Sequence, residues 1–581
     1  MTDHLDIVRN GMTRLRLIVG EHAHEPVVFA AHEVRRYVHE MTGAELPIVR
    51  RARGAAELCL ESVGRRGAKA GPRQCRRTAN DSSDTYRIRV NSAGACISGE
   101  SARAALYGAY DLLEQLGCGF CVPGEDTVPR KRSLTLRAGD RQVSPAFAYR
   151  GQLDFPLGSI QRSKILIDWI AKNRLNWYHA GANASTLPVE RRRRQSTEPS
   201  ERWTVRRRAV CDALKQRGLR LQFGGHTMMT WLSDEYFDAH PEWFALINGK
   251  RGSLGSGRHR PLCVTNQPMR RQLVRNMRRF LDENPQAEIL DLWHPDSDAF
   301  CHCPQCLCGV SEDHGDEFVG MAYLRSFVGF ANAVAEQLQR THPHVRVSPL
   351  VNYSQSTNWP LPAHVEINNN VLVGLAHFPP LRDSYLPLTG DPHSEGNTRL
   401  LGIDLSWKSK AQHTYLYEYY NSWYMPFIHP QALLAGRDLK LLSALGFNGL
   451  SSDMWGWTPV NLYVVARLMW DPSRSAQALV ADFCRRYYGR AADPMYDYWM
   501  GLEELFQGIP GYLSSEQAMA TCRKARRRCV SYLKDVASSV SDTALRSRIE
   551  RCLLPWLNLE DRNRARWWAV PSFKEDDSSP D

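Results

Sequence analysis

Hydrophobic segments with the character of buried strands alternate with amphipathic helical segments along residues 145–459. Apolar residues recur at helical spacing at 165–172, 203–216, 269–281, 323–340 and 433–445. The strand-like segments between them are 147–153, 176–179, 219–223, 288–293, 345–351, 371–375, 414–417 and 450–452. A chain that alternates strands with helices favours a parallel sheet. We therefore predict an α/β fold with a TIM-like (β/α)8 barrel in this region.

The residues on either side of this region have different patterns. Residues 13 to 140 predict a small α/β unit with two helices, one of which has Pro26 in its first turn and Gly43 at its end. Those helices are predicted at 27–41 and 102–116, and strands at 15–19, 46–49, 57–60, 86–90, 96–98 and 134–136. Beyond Pro459 the pattern is helical, at 462–469, 475–488, 495–506, 522–537 and 544–557. We therefore divide the chain into an accessory domain (1–144), a barrel (145–459) and a helical region (460–581).

Charge and cysteine content narrow the class of protein. The formal net charge of +12 comes largely from arginine runs such as 191–194 and 206–208, which lack interleaved aromatic residues. They indicate a solvated surface rather than a nucleic-acid interface. We expect no membrane span, because no run of about 18 apolar residues occurs. Fifteen mostly scattered cysteines and an acidic first segment without a signal-peptide core favour a cytoplasmic location.

Acidic residues follow two of the predicted barrel strands. Asp296 and Asp298 come after the fourth strand, and Glu418 ends the tyrosine-rich seventh strand. The loops after barrel strands form the face on which barrel enzymes carry their active sites. Two carboxyl groups suit glycosidic cleavage, in which one protonates the leaving oxygen and the other attacks or stabilises the anomeric carbon. We predict Glu418 as the general acid, with a raised pKa, and Asp296 as nucleophile, base or polariser of a substrate acetamide. The alternatives are Asp298 in the place of Asp296, a Glu418 salt bridge to a barrel arginine, and an Asx turn at Asp296.

Further polar and aromatic residues lie at predicted strand ends. They are candidates for binding sugar hydroxyl groups or stacking on a pyranose ring. The candidates are Arg150, Asp154, His226, His294, Asn352, Tyr353, His377, Asp453 and Trp455. Each could also be a structural residue, because loop-capping aspartates and satisfied core histidines are common. Loss of sugar binding on substitution would separate the two interpretations.

Cysteines are concentrated after the fourth strand. Cys301, Cys303 and Cys306 have a spacing that suits tetrahedral zinc, and Cys263 or His302 would supply the fourth ligand. We predict a structural zinc site that fixes the loop carrying Asp296, and no cofactor for the chemistry itself. Disulfides and simple packing are the alternatives. A catalytic zinc is disfavoured, because a site closed by thiolates leaves no open position.

Several motifs resemble known families. EVRRYVHEMTGAELPIV (33–49) and ALYGAYDLLEQLGCGFCVPGEDTVP (105–129) resemble the accessory domain that precedes the barrel in α-glucuronidases and β-N-acetylhexosaminidases. HPEWFALINGKR, PLCVTNQP, DSDAFCHCPQC and RLMWDPSRSAQALVADFCRRYYG, all between 240 and 489, resemble the domain-of-unknown-function family 4838. Some members of that family are assigned to glycoside hydrolase family 163, which acts on N-acetylglucosamine-containing glycans.

This resemblance implies a TIM-like barrel, a carbohydrate substrate and hydrolysis of O-glycosidic bonds, with uronic-acid glycans as a second substrate class. Two other functions are compatible with the sequence. One is a non-catalytic carbohydrate-binding protein on a degenerate barrel. The other is a zinc-dependent hydrolase that uses the cysteine cluster. Turnover of a glycoside would distinguish a glycoside hydrolase from the carbohydrate-binding protein. Activity that persists after metal removal would exclude the zinc-dependent hydrolase.

Overall fold

The computed structural model shows a chain of three successive regions. The described residues are 4–51, 57–62, 83–154, 160–181, 201–226, 228, 231–232, 234–252, 260–294, 299–310, 315–353, 357–378, 381–420, 429–453, 458–509 and 516–559. Their order along the chain is an α/β unit, a parallel barrel and a set of helices. This is the architecture that the sequence pattern predicts. The exact boundaries 1–144, 145–459 and 460–581 remain our proposal.

The first region is built on a mixed six-stranded sheet. The strands of this region are β1 (His4–Val8), β2 (Arg16–Val19), β3 (Ile48–Val49), β4 (Glu57–Ser62), β5 (Tyr86–Asn91), β6 (Gly94–Gly99), β7 (Gly119–Val122), β8 (Glu125–Thr127), β9 (Leu134–Arg137) and β10 (Gly139–Val143). The large sheet has the order β10-β5-β6-β4-β2-β3, while β1 pairs with β9 and β7 with β8. The strands β1, β7, β8 and β10 were not predicted.

Two helices, α1 (Glu25–Thr42) and α2 (Ala102–Gln115), belong to this region. The start and end of α1 follow its sequence signals. Pro26 lies in the first turn, and Gly43 ends the helix in the left-handed conformation with φ 76°. Its amide donates a hydrogen bond of 2.7 Å to the carbonyl of His39. The side chain of Ser101 caps the start of α2 by accepting a hydrogen bond from the amide of Ala104.

The barrel follows as one parallel sheet. Its strands are β11 (Tyr149–Asp154), β12 (Trp177–Gly181), β13 (Arg220–Gly224), β16 (Ala287–Asp291), β17 (Arg346–Ser348), β18 (Leu350–Val351), β19 (Leu372–Ala376), β20 (His413–Glu418) and β21 (Gly449–Asp453), and a short hairpin, β14 (Leu246–Ile247) and β15 (Lys250–Arg251), lies between β13 and β16. The sheet order is β17-β16-β13-β12-β11-β21-β20-β19-β18. Since β17 and β18 are consecutive pieces of the stretch 346–351, the sheet returns to its starting strand. The eight predicted strands are therefore confirmed.

Helices cover the outside of this sheet and form the last region. Around the barrel they are α3 (Ile160–Lys172), α4 (Glu201–Arg217), α5 (Gln267–Glu283), α6 (Asp316–Gln339), α7 (Glu395–Lys408) and α8 (Ala432–Ala444). The last region contains α9 (Pro459–Trp470), α10 (Ala476–Tyr488), α11 (Ala492–Phe506), α12 (Glu516–Ser538), α13 (Thr543–Arg551) and α14 (Leu554–Leu557). Helix α7 was not predicted, and the segment predicted as one helix at 544–557 forms two.

Arg150 joins the barrel to the first region and does not lie at the loop face. It is the second residue of β11, at the amino end of the strand, and is fully buried. Its Nη2 donates to Asp84 Oδ2 at 2.5 Å, and its Nη1 donates to the carbonyl of Phe147 at 2.6 Å. Asp84 also pairs with Arg103 of α2. Sugar binding by Arg150 stays a prediction that these contacts do not support, because its guanidinium group is used at the opposite end of the barrel.

Helix α6 is unusually apolar. Residues 317–339 are long and hydrophobic enough to cross a membrane by length and composition, with a mean hydropathy of 1.3 over the most apolar 18-residue window. Within the fold, 61% of that window is buried. A buried helix in the outer layer of a barrel passes the same composition test, so the burial explains the apolar sequence.

Candidate functional site

Side chains of the barrel strands alternate between the interior and the surrounding helix layer. Tyr415 marks the interior side of β20. Its hydroxyl group lies 3.1 Å from Ser348 Oγ and 3.4 Å from Gln222 Nε2, on strands across the barrel. Tyr417 is in the same phase, with its ring 5.3 Å from that of Trp293. Glu418 is in the opposite phase and therefore points towards the helices.

A buried acid and a buried histidine meet inside the barrel, where Asp291 ends β16 and His179 is the middle residue of β12. His179 Nε2 lies 2.7 Å from Asp291 Oδ2, and both side chains are fully buried. Gln222 Nε2 donates to Asp291 Oδ1 at 2.7 Å. Burial raises the pKa of Asp291, and the contacts with His179 and Gln222 oppose this only in part. In the sequence, Asp291 is only a single polar residue within an apolar segment, and nothing local marks it as a site residue.

Gly224 makes room for this acid. It has φ +135°, and a Cβ atom built on it would lie 2.5 Å from the Cβ of Asp291. The backbone of β13 therefore approaches β16 as closely as only glycine allows. The indole Nε1 of Trp231 donates to the carbonyl of Asp291 at 2.8 Å and holds the strand end from the other side.

Aromatic rings surround the His179–Asp291 pair. The Trp293 ring lies 5.1 Å from His179 and 5.3 Å from His226. His226 also packs 4.4 Å from Tyr353, and its Nδ1 donates to the carbonyl of His294 at 2.7 Å. We refer to the seven residues His179, Gln222, His226, Asp291, Trp293, Tyr353 and Tyr417 as the interior cluster. The sequence predicted two of them, His226 and Tyr353, as binding residues.

Glu418 belongs to a different group of side chains, which lies between the barrel strands and the outer helices. Its Oε1 atom lies 2.6 Å from His377 Nδ1, and its Oε2 atom forms an ion pair with Arg382. His377 Nε2 lies 2.7 Å from Asp404 Oδ2 of α7. Arg382 also pairs with Asp438 of α8. We refer to these five residues as the ion-pair network.

The ion-pair network consists of three acidic side chains and two basic ones. Burial would raise the pKa of Glu418, but the charges of Arg382 and His377 outweigh it and hold the pKa below its ordinary value. Burial would lower the pKa of His377, but Glu418 and Asp404 raise it to about 9. Burial raises the pKa of both Asp404 and Asp438. The prediction of a raised pKa for Glu418 is wrong. The alternative, a salt bridge between Glu418 and an arginine, describes its surroundings.

Most of the other predicted binding residues also face the helix layer. Asn352 has φ +59° and donates to Asp404 Oδ1 at 2.6 Å. Asp154 accepts from Tyr178 at 2.6 Å and Ser163 at 3.0 Å. The ring of His294 packs 5.7 Å from Tyr323 of α6. These residues, with His377, are not brought into the interior cluster.

Three predicted site residues cannot be placed with the others. Asp296 and Trp455 lie outside the described residues, as does Asp298. Asp453 is the last residue of β21, where its backbone pairs with Leu153 of β11. Their predicted roles stay predictions.

The cysteines after β16 meet a fourth cysteine from an earlier loop. The sulfur atoms of Cys263, Cys301, Cys303 and Cys306 all lie within 4.8 Å of one another, and all four residues are buried. Cys263 Sγ lies 3.7 Å from Cys303 Sγ and 3.8 Å from Cys306 Sγ. This cluster could hold a metal ion, and it takes Cys263 rather than His302 as its fourth member.

Hydrogen bonds within the cluster shift its thiol pKa values in both directions. Contacts with Cys301 and Cys306 lower the pKa of Cys263, while the contact with Cys263 raises that of Cys301 to about 12. The backbone amide of Leu246, in β14, donates to Cys301 Sγ at 3.3 Å. Cys308 is exposed and lies against Ser326 instead, so it is not part of the cluster.

The barrel and the segments beside it match a known protein family. The model of the domain of unknown function DUF4838 matches residues 121–500, well over half of the chain. The chain belongs to the DUF4838 family. The match spans all the barrel strands and the first helices of the last region, and it confirms the resemblance seen in the sequence motifs. No curated protein matches the DUF4838 chain.

Solved structures similar to the DUF4838 chain include glycosidases. One is a family GH115 4-O-methyl-α-glucuronidase with specificity for decorated arabinogalactans, at 12% identity and a TM-score of 0.61, covering 97% of this chain and 73% of that one. Another is a GH138 enzyme targeting pectin rhamnogalacturonan II, at 12% identity and a TM-score of 0.59, covering 95% of this chain and 86% of that one. The Streptomyces plicatus N-acetyl-β-hexosaminidase follows at 15% identity and a TM-score of 0.50, covering 86% and 93%. At these identities the likeness establishes the fold of a glycosidase barrel.

Proposed function

We propose that this protein hydrolyses O-glycosidic bonds at the carboxyl-terminal face of its barrel. The observation that carries the proposal is the interior cluster, in which Asp291, His179 and an aromatic wall lie together at the end of β16. Asp296 follows five residues after Asp291 in the chain. Barrel enzymes carry catalytic residues at the ends of strands on this face.

Asp296 is the residue we propose to act on the substrate directly. A carboxylate there would serve as nucleophile, as base, or as the group that orients a substrate acetamide. We assign the His179–Asp291 pair as a positioning pair, because both side chains are fully buried and bonded to each other at the end of the strand that precedes Asp296 in the chain. Trp293 and Tyr417, both buried beside this pair, form the aromatic wall at the base of the proposed sugar site. Glu418 stays a prediction that its packing does not support, since an ionised, helix-facing carboxylate is a poor proton donor.

A screen of aryl glycosides tests this proposal. We expect release of the aryl group from an N-acetylglucosaminide or a glucuronide, and loss of at least about 100-fold in turnover in Asp296→Asn. Asp298→Asn is the matched control, because it removes a carboxylate from the same loop and should retain activity. Equal losses in the two variants would contradict the assignment of Asp296. Absence of turnover with retained sugar binding in the parent protein would favour a carbohydrate-binding protein.

The leaving group of the substrate tests whether Asp296 acts in one of these roles or instead as the proton donor. A nucleophile or an acetamide polariser is needed whatever the leaving group, so Asp296→Asn should be inactive on all aryl glycosides. A group that acts as a proton donor is dispensable for leaving groups of low pKa. Activity retained only on activated substrates would therefore assign Asp296 as the acid. Proton NMR of the first product formed separates retention from inversion.

The metal that best fits the four-cysteine cluster is zinc. A tetrahedron with metal–sulfur distances of about 2.3 Å has sulfur–sulfur edges of about 3.8 Å. The separations of 3.7 Å and 3.8 Å from Cys263 to Cys303 and Cys306 match that edge. Four buried thiolates would close the coordination shell, so we propose a structural ion that fixes the loop carrying Asp296. Zinc there would cross-link the segments 260–266 and 299–310.

Metal analysis of purified protein tests the site. We expect one zinc per chain, and loss of that zinc in Cys263→Ser. Cys308→Ser is the control, because Cys308 is close in sequence but lies outside the cluster. Zinc content unaffected by Cys263→Ser would exclude this site. If turnover then continued in zinc-free, folded protein, a zinc-dependent hydrolytic mechanism would also be excluded.

A further inference from the structure

Two cysteines of the first region face each other on the outer side of its sheet. Cys59 of β4 and Cys96 of β6 are direct partners in the register of two parallel strands. Neighbouring strands lie about 4.8 Å apart, so the Cα atoms of direct partners fall within the separation of about 4.4–6.8 Å that disulfides span. Both side chains are half-buried and point to the same face.

The residues around this pair distinguish the two thiols. The hydrogen bond with Cys59 lowers the pKa of Cys96 to about 7, and Arg89 on the neighbouring strand β5 adds to this effect against the opposing effect of burial. Hydrogen bonding to Cys96 and burial raise the pKa of Cys59. Arg89 is the direct register partner of Cys96. Glu61 Oε1 lies 3.8 Å from Cys96 Sγ and opposes the effect of Arg89 on the pKa of Cys96. Because the register places the cation Arg89 beside Cys96, we assign Cys96 as the attacking thiol and Cys59 as the resolving thiol.

Other thiols in the described part of the chain lack this combination. Most are buried against apolar residues, such as Cys118, Cys484 and Cys522. Cys308 is exposed, but its sulfur lies against the hydroxyl group of Ser326 and not against a thiol. The Cys59–Cys96 pair combines access to solvent, a neighbouring thiol in register and a neighbouring cation.

We propose that Cys59 and Cys96 form a redox-active dithiol that closes to a disulfide when it reacts with a small disulfide such as oxidised glutathione. The Cys96 thiolate attacks one sulfur of oxidised glutathione, forms a mixed disulfide and releases one glutathione thiolate. Cys59 then gives up its proton and attacks the Cys96 sulfur, which releases the second glutathione. The protein pair loses two electrons, and the glutathione disulfide gains them. The cross-link joins β4 to β6 and is independent of the proposed hydrolase function.

Peptide mapping of the full chain tests this site. The folded protein is incubated with oxidised glutathione at about pH 7.5, remaining thiols are alkylated, and peptides are analysed by mass spectrometry before and after reduction. We expect a linked peptide pair that contains Cys59 and Cys96 and that disappears on reduction. In Cys59→Ser, a stable Cys96–glutathione adduct should accumulate instead. In Cys96→Ser no cross-link forms, and modification at Cys59 should be slower than modification at Cys96 in Cys59→Ser, because Arg89 is the register partner of Cys96.

Cys308→Ser is the matched control, since it removes an exposed thiol without a thiol partner and should leave the cross-link unchanged. Circular dichroism of each variant before oxidation establishes that the protein is folded. A wild-type protein that accumulates the Cys96–glutathione adduct without the cross-link would overturn the proposal. So would modification of Cys308 under conditions that leave Cys59 and Cys96 unmodified.

Discussion

His377 Nδ1 lies 2.6 Å from Oε1 of Glu418, in the layer between the barrel and its helices. The opposite ring nitrogen of His377 contacts Asp404, so an imidazolium with a raised pKa bridges a strand end and helix α7. Arg382 makes a similar bridge from Glu418 to Asp438 of α8. The network therefore attaches two outer helices to the end of β20. Its geometry is that of a structural element beside the active face.

Replacing Glu418 should primarily affect stability. Glu418→Gln leaves Arg382 and His377 with one fewer acid, and removing one partner of a buried ion pair costs about 3–5 kcal/mol. Asp438→Asn is the matched variant, because Asp438 is equally buried and pairs with the same arginine. We expect similar losses in the free energy of unfolding, measured with urea, and similar residual turnover per folded molecule. A turnover loss specific to Glu418→Gln would restore this residue to the catalytic site.

His377 should make stability depend on pH. Its folded-state pKa of about 9 exceeds the ordinary 6.5, so the folded state binds the proton more tightly than the unfolded chain. The resulting stabilisation is fully present below pH 6.5 and is lost as pH rises from 6.5 to 9. Urea unfolding of the parent protein and His377→Gln at several pH values measures this. The difference between the two should shrink across that window, and a constant difference would show that His377 is not protonated.

The backbone at Gly224 should be sensitive to a single methyl group. Gly224→Ala places a Cβ atom 2.5 Å from the Cβ of Asp291, in addition to the strain of φ +135°. Gly225→Ala is the control, since Gly225 has φ +115° but open space around its Cα. We expect Gly224→Ala to lose about 1–3 kcal/mol more stability than Gly225→Ala. We also expect it to lose turnover, because Asp291 and His179 are displaced. Equal effects would mean that strain alone matters.

The sequence was sufficient for the barrel but not for the direction of its side chains. Strand–helix alternation predicted eight strands, because each strand is a continuous apolar segment bounded by turns. The continuous apolar character of these strands does not show which residues face the barrel interior, since both faces of a parallel barrel strand are buried. Tyr415, Leu416 and Tyr417 are all apolar in character, so nothing local shows that Glu418 points to the helices. Only the contacts of Tyr415 with Ser348 and Gln222 across the barrel establish it.

Long-range partners explain the remaining differences. Asp404 lies on α7, whose apolar residues are not confined to one face, so neither the helix nor the partner of His377 was predicted. Asp291 depends on His179, 112 positions earlier, and on the absence of a side chain at Gly224. The cysteine cluster was found because three of its members lie within six residues. Its fourth member was left open between Cys263 and His302 until the structure placed Cys263 there.

Glu503 provides a second pH-dependent contact, between the last region and the barrel. Its carboxylate, on α11, accepts hydrogen bonds from the amides of Ala432 (2.6 Å) and Leu433 (3.3 Å) at the start of α8. Burial nevertheless raises its pKa to about 7, against these two bonds. The folded state therefore holds the proton more tightly than the unfolded chain, whose ordinary pKa is 4.5. The stabilisation from protonation is greatest below pH 4.5 and is lost as pH rises to 7.

Glu503→Gln should remove this pH dependence. The neutral glutamine side chain keeps an oxygen that accepts from the backbone amide of Ala432, and it has no charge to bury. The free energy of unfolding of the variant should therefore rise relative to that of the parent as pH rises. The expected gain between about pH 4.5 and 8 is roughly 3 kcal/mol, because one pKa unit corresponds to about 1.4 kcal/mol. Glu504→Gln is the control, since Glu504 is exposed on the same helix. If urea unfolding gave the two variants parallel stability curves, the Glu503 carboxyl would be ionised throughout and its contact with α8 would be a simple helix cap.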